Sequence, residues 1–433
     1  MNQRPNHVLR QGVLTVKQTF RTFLRWLASI SASLSLFIGC AHAEPQPPSE
    51  AAIKDAPAAA RGINAFACDL YGHLCAKPGN LFFSPYSLST ALAMTYAGAR
   101  GQTEAQMAKT LRFMLTPDRL HPAYHALAYG LAQSGDKKGC VLSIANALWL
   151  ENTYALQPSY TELVKQNYGF GEDLVRKANF AEQSEQARLI INRWVLQQTR
   201  DKIADLLAPD VVGRETVLIL TNAIHFKGAW MTQFDKDRTQ DLPFKLDGGE
   251  TIPAPTMRVT VEAPYSEDEA VQVLQLPYKG GDLAMVILLP KAAGGLDAFE
   301  RTLDGATLDK RLATLSAPMK VDVFLPKFRM TSEFVLNKTL PAMGMTDAFN
   351  SSAADFSGMA GRKDLFISNV IHKAFVDVNE EGTEAAAASA VVMDRGMPAP
   401  PAVFRADHPF LFLIRDTRSG ALLFLGRVSN PKA

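Results

Sequence analysis

The chain has 433 residues, of which 47% are hydrophobic and 20% charged, with a formal net charge of +2 at pH 7. This length and composition are sufficient for one large globular core and exclude an extensively disordered protein. Loss of the first 43 residues, which carry five basic side chains and no acidic one, would change the net charge from +2 to −3. A nucleic-acid partner is therefore not expected.

Residues 1–43 have the features of an export signal. The basic residues are Arg4, Arg10, Lys17, Arg21 and Arg25. They precede an apolar run over residues 26–39 that is too short to span a membrane convincingly.

Two processing sites remain open in this leader. Ala41, His42 and Ala43 fit a signal peptidase site, whereas residues 37–40 (FIGC) resemble a bacterial lipobox and would make Cys40 a lipidated residue. We favour the lipobox, which predicts a lipoprotein at the cell envelope and makes that lipid the only membrane attachment. The alternative is a soluble protein, secreted or periplasmic. Either outcome is extracytoplasmic.

Residues 44–60 (EPQPPSEAAIKDAPAAA) are rich in Pro and Ala and lack hydrophobic periodicity. We interpret them as a flexible tether. The folded domain is then predicted to occupy residues 61–433.

Helical and strand periodicities alternate along the domain. Helical spacing occurs near residues 61–76, 86–98, 102–112 and 182–200, and strand-like runs occur at 216–226, 271–289, 320–329 and 365–377. This mixture, without an internal repeat, predicts a single α+β domain. A further helix is expected over residues 120–132, which contain no Lys or Arg.

The side chains that could carry chemistry form no recognisable catalytic motif. The sequence lacks G-x-S-x-G, H-E-x-x-H and C-x-x-C, so we predict no enzyme activity, no metal and no cofactor. Cys68, Cys75 and Cys140 are interpreted as small buried apolar residues. Cys68 and Cys75, seven residues apart on one helix, would lie about 10 Å apart, too far for a disulfide.

Residues 380–391 (EEGTEAAAASAV) fit either a helix or a strand. With a period of two, one face of a strand would be uncharged, and Glu384 and Asp394 would lie on the other. The uncharged face consists of Thr383, Ala385, Ala387, Ser389, Val391 and Met393. This segment could therefore be buried as a strand without burying an ion.

Seven segments in order resemble the signatures of the serpin family, and the resemblance extends over residues 61–431. They are residues 82–94 (FFSPYSLSTALAM), 221–230 (TNAIHFKGAW), 325–328 (LPKF), 355–359 (DFSGM), 367–390 (ISNVIHKAFVDVNEEGTEAAAASA), 404–414 (FRADHPFLFLI) and 424–431 (FLGRVSNP). The resemblance implies three β-sheets, eight or nine helices and an exposed reactive-centre loop over about residues 382–402.

The resemblance also implies a mechanism. A serine protease would attack the loop and form an acyl-enzyme, and the cut loop would then enter the main sheet and trap it. Trypsin-like or elastase-like enzymes are the expected partners, with papain-like cysteine proteases as a further candidate, and the inhibitor is expected to be a monomer without a heparin-like activator. The alternative is a non-inhibitory serpin acting as a carrier, storage protein or chaperone.

The resemblance assigns roles to four groups of residues. The hinge comprises Glu381, Gly382, Thr383, Glu384, Ala385, Ala386, Ala387 and Ala388. The shutter beneath the main sheet comprises Ser84, Ser87, Asn222 and His372, and Trp230 marks the breach where the loop enters. The family spacing predicts cleavage at Gly396-Met397, whereas side-chain chemistry favours Arg395-Gly396, and both bonds remain open. Glu380 and Glu381 are expected to form a solvated strand end.

Overall fold

Ten α-helices and sixteen β-strands are present in the part of the chain that the computed structural model describes, namely residues 46–134, 139–168, 174–315, 317–383 and 400–433. The leader with Cys40, the hinge residues 384–388 and the candidate reactive bonds at 395–397 lie outside these residues.

The helices, α1 to α10 in chain order, are Glu50–Leu74, Pro85–Tyr96, Gly101–Thr110, Pro117–Gln133, Pro158–Asn167, Phe180–Gln198, Leu296–Glu300, Gly305–Ala313, Thr339–Ala342 and Ser357–Ala360. Seven have nine residues or more and three have only four or five. The described part of the chain thus has one or two more helices than expected, because short turns such as α9 and α10 give no periodic signal in the sequence.

The sixteen strands, β1 to β16, are Leu81–Phe83, Cys140–Glu151, Val175–Ala178, Leu218–Ala229, Gln240–Lys245, Thr251–Ala263, Tyr265–Glu267, Val271–Pro277, Leu283–Pro290, Met319–Pro326, Phe328–Val335, Asn369–Asn379, Gly382–Thr383, Ala402–Arg405, Phe410–Asp416 and Leu422–Val428. They form three sheets, as the resemblance implied. The orders are β11-β12-β13-β4-β2-β3, β1-β16-β15-β9-β8-β7 and β14-β10-β6-β5.

The first of these, the large sheet, lies between two apolar layers. One face of its central strands contributes to the main core, which includes Ile224 and Val376. The other face packs against α6 through Trp149 and Trp194, whose rings meet edge to face with centroids 5.5 Å apart. Because both faces are covered, β4 is buried along nearly its whole length rather than at alternate residues.

The first helix begins earlier than predicted. Residues 50–60, interpreted above as part of a flexible tether, are the first eleven residues of α1. The Ser49 hydroxyl caps the helix by accepting a hydrogen bond from the Ala52 N–H at 3.2 Å, and Ala52, Ala56 and Ala59 are buried. Alanines contribute little to a hydrophobic pattern, so the sequence did not indicate this buried face.

The helix expected over residues 120–132 is α4, which begins at Pro117 and so includes Arg119. Cys68, Cys75 and Cys140 are free thiols, as expected, but Cys75 is only half-buried because it caps the end of α1.

Candidate functional site

The large sheet opens at one end to admit the beginning of an additional strand. Strands β12 and β4 pair directly and in parallel from Asn369 and Ile219 to Phe375 and His225. Beyond this point Gly382 and Thr383, which form β13, lie between them and run antiparallel to both. The first two residues of the predicted exposed loop are therefore buried within the sheet.

Gly382 is required by the close approach of the neighbouring strand. Its φ is +151°, which disfavours residues with a Cβ. A Cβ at this position would also meet the Gly228 carbonyl oxygen and lie 2.7 Å from the Ala229 Cα. Any larger residue at position 382 would push β13 away from β4.

Thr383 is held by a buried aromatic pair. Its hydroxyl lies 2.8 Å from the Tyr278 hydroxyl, and neither residue is exposed to solvent. The Tyr278 ring stacks on Trp230 at a centroid distance of 4.7 Å. Burial raises the pKa of Tyr278, so its hydroxyl remains protonated and able to donate.

Trp230 also connects the aromatic pair to the backbone of the turn that leads into β13. Its indole N–H donates to the Asn379 carbonyl at 3.0 Å, and its backbone N–H donates to the Glu381 carbonyl at 3.1 Å. Trp230, predicted at the breach, thus contacts the turn that leads into the opening.

Glu380 and Glu381 are not a solvated strand end. The Glu380 side chain is 6% exposed and forms a 2.9 Å ion pair with Lys327, and it accepts a 2.8 Å hydrogen bond from Thr239. Burial raises the pKa of Glu380, but the bonds from Lys327 and Thr239 outweigh it, so the net pKa is lowered. Glu381 pairs with Lys236. Lys327 and Lys236 are 53 and 145 residues away from these glutamates along the chain, so no local sequence pattern could indicate the two ion pairs.

The four predicted shutter residues lie together below the opening, with Asn146 as a fifth member. These five residues, the polar cluster, are Ser84, Ser87, Asn146, Asn222 and His372, and all are buried. His372, Asn222 and Asn146 are register partners across β12, β4 and β2. Ser84 and Ser87 come from the first turn of α2, where Ser84 is the N-cap.

Hydrogen bonds satisfy this cluster. The Asn222 side-chain amide donates to the Ser87 hydroxyl at 2.7 Å and to Asn146 Oδ1 at 2.6 Å. The Ser87 hydroxyl donates to Asn146 Oδ1 at 2.9 Å, and the Asn146 side-chain amide donates to the Ser87 backbone carbonyl at 3.1 Å. Asn146 was missed because its only signal is a polar residue within an apolar strand run.

His372 joins the cluster to the opposite strand as a neutral imidazole. Burial lowers its pKa to about 3. The Ser84 backbone N–H donates to Nε2 at 3.0 Å, so Nδ1 carries the proton and donates to the side-chain Oδ1 of Asn222. This hydrogen bond crosses the seam between β12 and β4, and the two strands cannot separate without breaking it.

Neither a metal site nor a membrane-spanning helix is found among the described residues. No group of three or more His, Cys, Asp or Glu side chains is arranged to hold a metal ion there. No described helix is long and apolar enough to cross a bilayer.

The described residues form an α+β fold with three sheets, and the large sheet contains the beginning of an additional central strand. This combination of features points to one protein family. A family model described as Serpin (serine protease inhibitor) matches residues 61–431, and the chain therefore belongs to the serpin family. This is a family of protease inhibitors rather than enzymes.

Individual relatives agree with this assignment. The chain is 42% identical to the human leukocyte elastase inhibitor over 379 residues, which are 84% of this chain and 97% of that protein. Its fold resembles uncleaved ovalbumin at a TM-score of 0.76 and 30% identity, over 86% of this chain and 100% of that chain. It also resembles Arabidopsis AtSerpin1, described as a native stressed conformation, at a TM-score of 0.76 and 29% identity, over 87% of this chain and 99% of that one.

Proposed function

We propose that this protein is a suicide-substrate inhibitor of serine endopeptidases. The serine hydroxyl of the protease attacks a loop carbonyl, a new amino terminus leaves, and the loop remains attached to the protease as an ester. The cut loop then extends β13 as a full strand before water can hydrolyse the ester. The observation that carries this proposal is β13 itself, a strand already begun between β12 and β4.

The observed register supports the direction and the depth of insertion. Thr383 is opposite Val378 and Gly228, so each later loop residue would pair one step back along both neighbours. Glu384 would lie between Asp377 and Lys227, which are partly exposed. A carboxylate is acceptable at that position.

Further insertion would bring the hydroxyl of Ser389 to the polar cluster. In the same register Ser389 lies opposite His372 and Asn222, and it shares a face with Thr383 because six residues separate them. Its hydroxyl could replace the hydrogen bond that is broken when β12 and β4 part. Within this alanine-rich segment, Ser389 therefore supplies the hydroxyl group that a buried polar site requires.

The choice of protease depends on which bond is cut. Cleavage at Gly396-Met397 fits an elastase-like enzyme, and the relative named leukocyte elastase inhibitor supports this choice. Cleavage at Arg395-Gly396 fits a trypsin-like enzyme with an acidic pocket. We propose the elastase-like class first, with a monomeric inhibitor that needs no heparin-like activator and is exported by its leader.

The decisive experiment compares Thr383→Arg with Glu384→Arg. Both changes add the same side chain, but position 383 faces Tyr278 in the core and position 384 would face Asp377 and Lys227. An arginine cannot be accommodated at the buried position 383, so β13 would be displaced and insertion could not continue from it. T383R should therefore be cleaved as a substrate, while E384R should still trap the enzyme.

The readout is the fraction of protease in SDS-stable complex with pancreatic elastase and with trypsin, with mass spectrometry locating the cut. Wild-type protein and E384R should form complex, and T383R should give mainly cleaved inhibitor. Equal complex formation by T383R and E384R would contradict strand insertion. Failure of the wild-type protein to form complex with any serine protease would refute the inhibitory function.

A further inference from the structure

The N-terminal part of α1 is a feature of this chain that the family match does not cover. The match begins at residue 61, whereas the described residues begin at 46 and α1 begins at Glu50. We call residues 46–60 the N-terminal brace. Ala52, Ala56, Ala59 and Ala60 of the brace are buried, with exposures of 3%, 8%, 3% and 1%.

The brace packs on α4. Arg119 of α4 donates two hydrogen bonds to the Asp55 carboxylate, at 2.6 and 2.9 Å. A ring nitrogen of His125, also on α4, lies 2.9 Å from the Gln46 carbonyl oxygen. These two contacts, six residues apart, fix the brace along the first half of α4.

Local sequence alone does not sustain a helix here. Pro57 lies inside α1 and removes one backbone hydrogen bond, which destabilises a helix interior. The Asp55–Arg119 pair is too exposed to offset this cost, since Arg119 is 58% exposed and exposed ion pairs contribute little to stability. The helical form of the brace therefore depends on burial of its alanine face.

The next described element of the chain after α4 is β2, whose first residue, Cys140, pairs with Gly228 at the opening of the large sheet. The α4 helix ends at Gln133, and β2 pairs with β4 along its length. Tyr124 of α4 also contacts Ser89 of α2 through their hydroxyls, 2.5 Å apart, and α2 carries two members of the polar cluster. Separation of β4 from β12 requires β2 to move with β4, and α4 opposes that movement while it is held.

We infer that the N-terminal brace restrains the β2 side of the large sheet by clamping α4. The brace packs on α4 and thereby increases the free energy needed to separate β4 from β12 in the uncut protein. The inference goes beyond the inhibitory mechanism, because the restraint exists whether or not a protease is trapped.

Adjacent alanines provide a matched test. Ala52→Glu places a carboxylate in the buried face, and Ala51→Glu places the same side chain on the exposed face of the same turn. The measurement is amide hydrogen exchange of the uncut full-length protein, compared over the brace, α4 and β2. We expect A52E to accelerate exchange about tenfold in all three segments, equivalent to ~1.4 kcal/mol, and A51E to match the wild type.

A milder perturbation guards against a folding defect in A52E. Asp55→Arg should accelerate exchange in the same segments to a smaller extent, and the added change Arg119→Asp should reverse that effect by restoring the pair. Faster exchange confined to the brace would overturn the inference, since the brace would then fray without restraining β2. Equal effects of A51E and A52E would also overturn it.

A second readout separates this inference from the proposed function. If the protein is an inhibitor, A52E should lose its ability to form SDS-stable complex at least threefold faster than A51E during incubation at 50 °C, because the sheet opens more readily. An equal rate of loss would contradict the restraint. If no variant ever forms complex, the inhibitory function fails, and the exchange measurement still decides whether the brace restrains the sheet.

Discussion

His408 has two hydrogen-bond acceptors, one for each ring nitrogen. Nδ1 lies 2.8 Å from the Asp407 carboxylate and Nε2 lies 2.6 Å from the Pro290 carbonyl oxygen. Only the imidazolium can donate both bonds. Burial lowers the pKa of His408, but the bonds to Asp407 and Pro290 outweigh that effect and leave the pKa raised.

We expect this histidine to stabilise the protein more at low pH than at high pH. A pKa raised above its unfolded value of about 6.5 gives a stabilisation that is complete below that pH and is lost as pH rises through the folded pKa. The difference in free energy of unfolding between wild type and His408→Gln should therefore be larger at pH 6 than at pH 8.5. Urea titrations at both pH values measure it, and a difference that grows with pH would contradict the assignment.

Individual side chains were predictable where the resemblance supplied them and not elsewhere. Ser84, Ser87, Asn222 and His372 were expected together and lie together. Tyr278 was missed, since its contact with Thr383 joins residues 105 positions apart. Sequence reveals which residue types can be buried, whereas partners brought close only by the tertiary fold leave no local signal.

Three adjacent strands each contribute one side chain to a row of the polar cluster. We expect the hydrogen bonds of this row to hold the three strands together. Asn146 on β2, Asn222 on β4 and His372 on β12 are register partners. Asn146 bonds both Ser87 and Asn222, so its side chain connects two strands to α2. The row is thus a property of paired elements rather than of any single residue.

Asn146→Ala should destabilise the uncut protein. It leaves the amide of Asn222 and the hydroxyl of Ser87 each with one partner fewer in a buried site, which typically costs about 1–3 kcal/mol. The thermal unfolding midpoint should fall by about 1–4 °C, because the entropy of unfolding of a domain of this size is about 0.8 kcal/mol/K. Asn152→Ala is the control, because Asn152 is exposed just beyond the same strand, and an equal fall in both variants would refute the role of the row.

Helices and strands with strong periodicity were predicted close to their observed positions, and those defined by packing were not. Residues 182–200 were expected as a helix and α6 spans Phe180–Gln198. Residues 271–289 were expected as one strand-like run but form the two strands β8 and β9, because Gly280 and Gly281, both with positive φ, turn the chain between them. The sequence predicts a tether over the brace because these residues are rich in Pro and Ala and lack hydrophobic periodicity.

At the scale of the whole molecule, the large sheet is held in an incomplete arrangement. Strands β12 and β4 are paired directly over seven residue pairs and separated by β13 over two. Each further loop residue that entered would exchange one contact between β12 and β4 for contacts on both of its own edges. Under the proposed mechanism the uncut fold therefore has a more fully paired alternative, which it reaches once the loop is cut.

Cutting the loop should raise the thermal stability of the protein. A nick near residues 395–397 frees the segment after Thr383 to pair with β12 and β4, with Val391 and Met393 facing the core and no ion buried. For a domain of this size the entropy of unfolding is about 0.8 kcal/mol/K, so a net gain of about 5 kcal/mol would raise the unfolding midpoint by about 6 °C. Calorimetry of intact and nicked protein measures this shift, and Thr383→Arg is the control, because its nicked form should gain little. If the nicked wild-type protein melts at the same temperature as the intact one, the segment does not enter the sheet, and β13 is only the end of a turn rather than the first part of a strand.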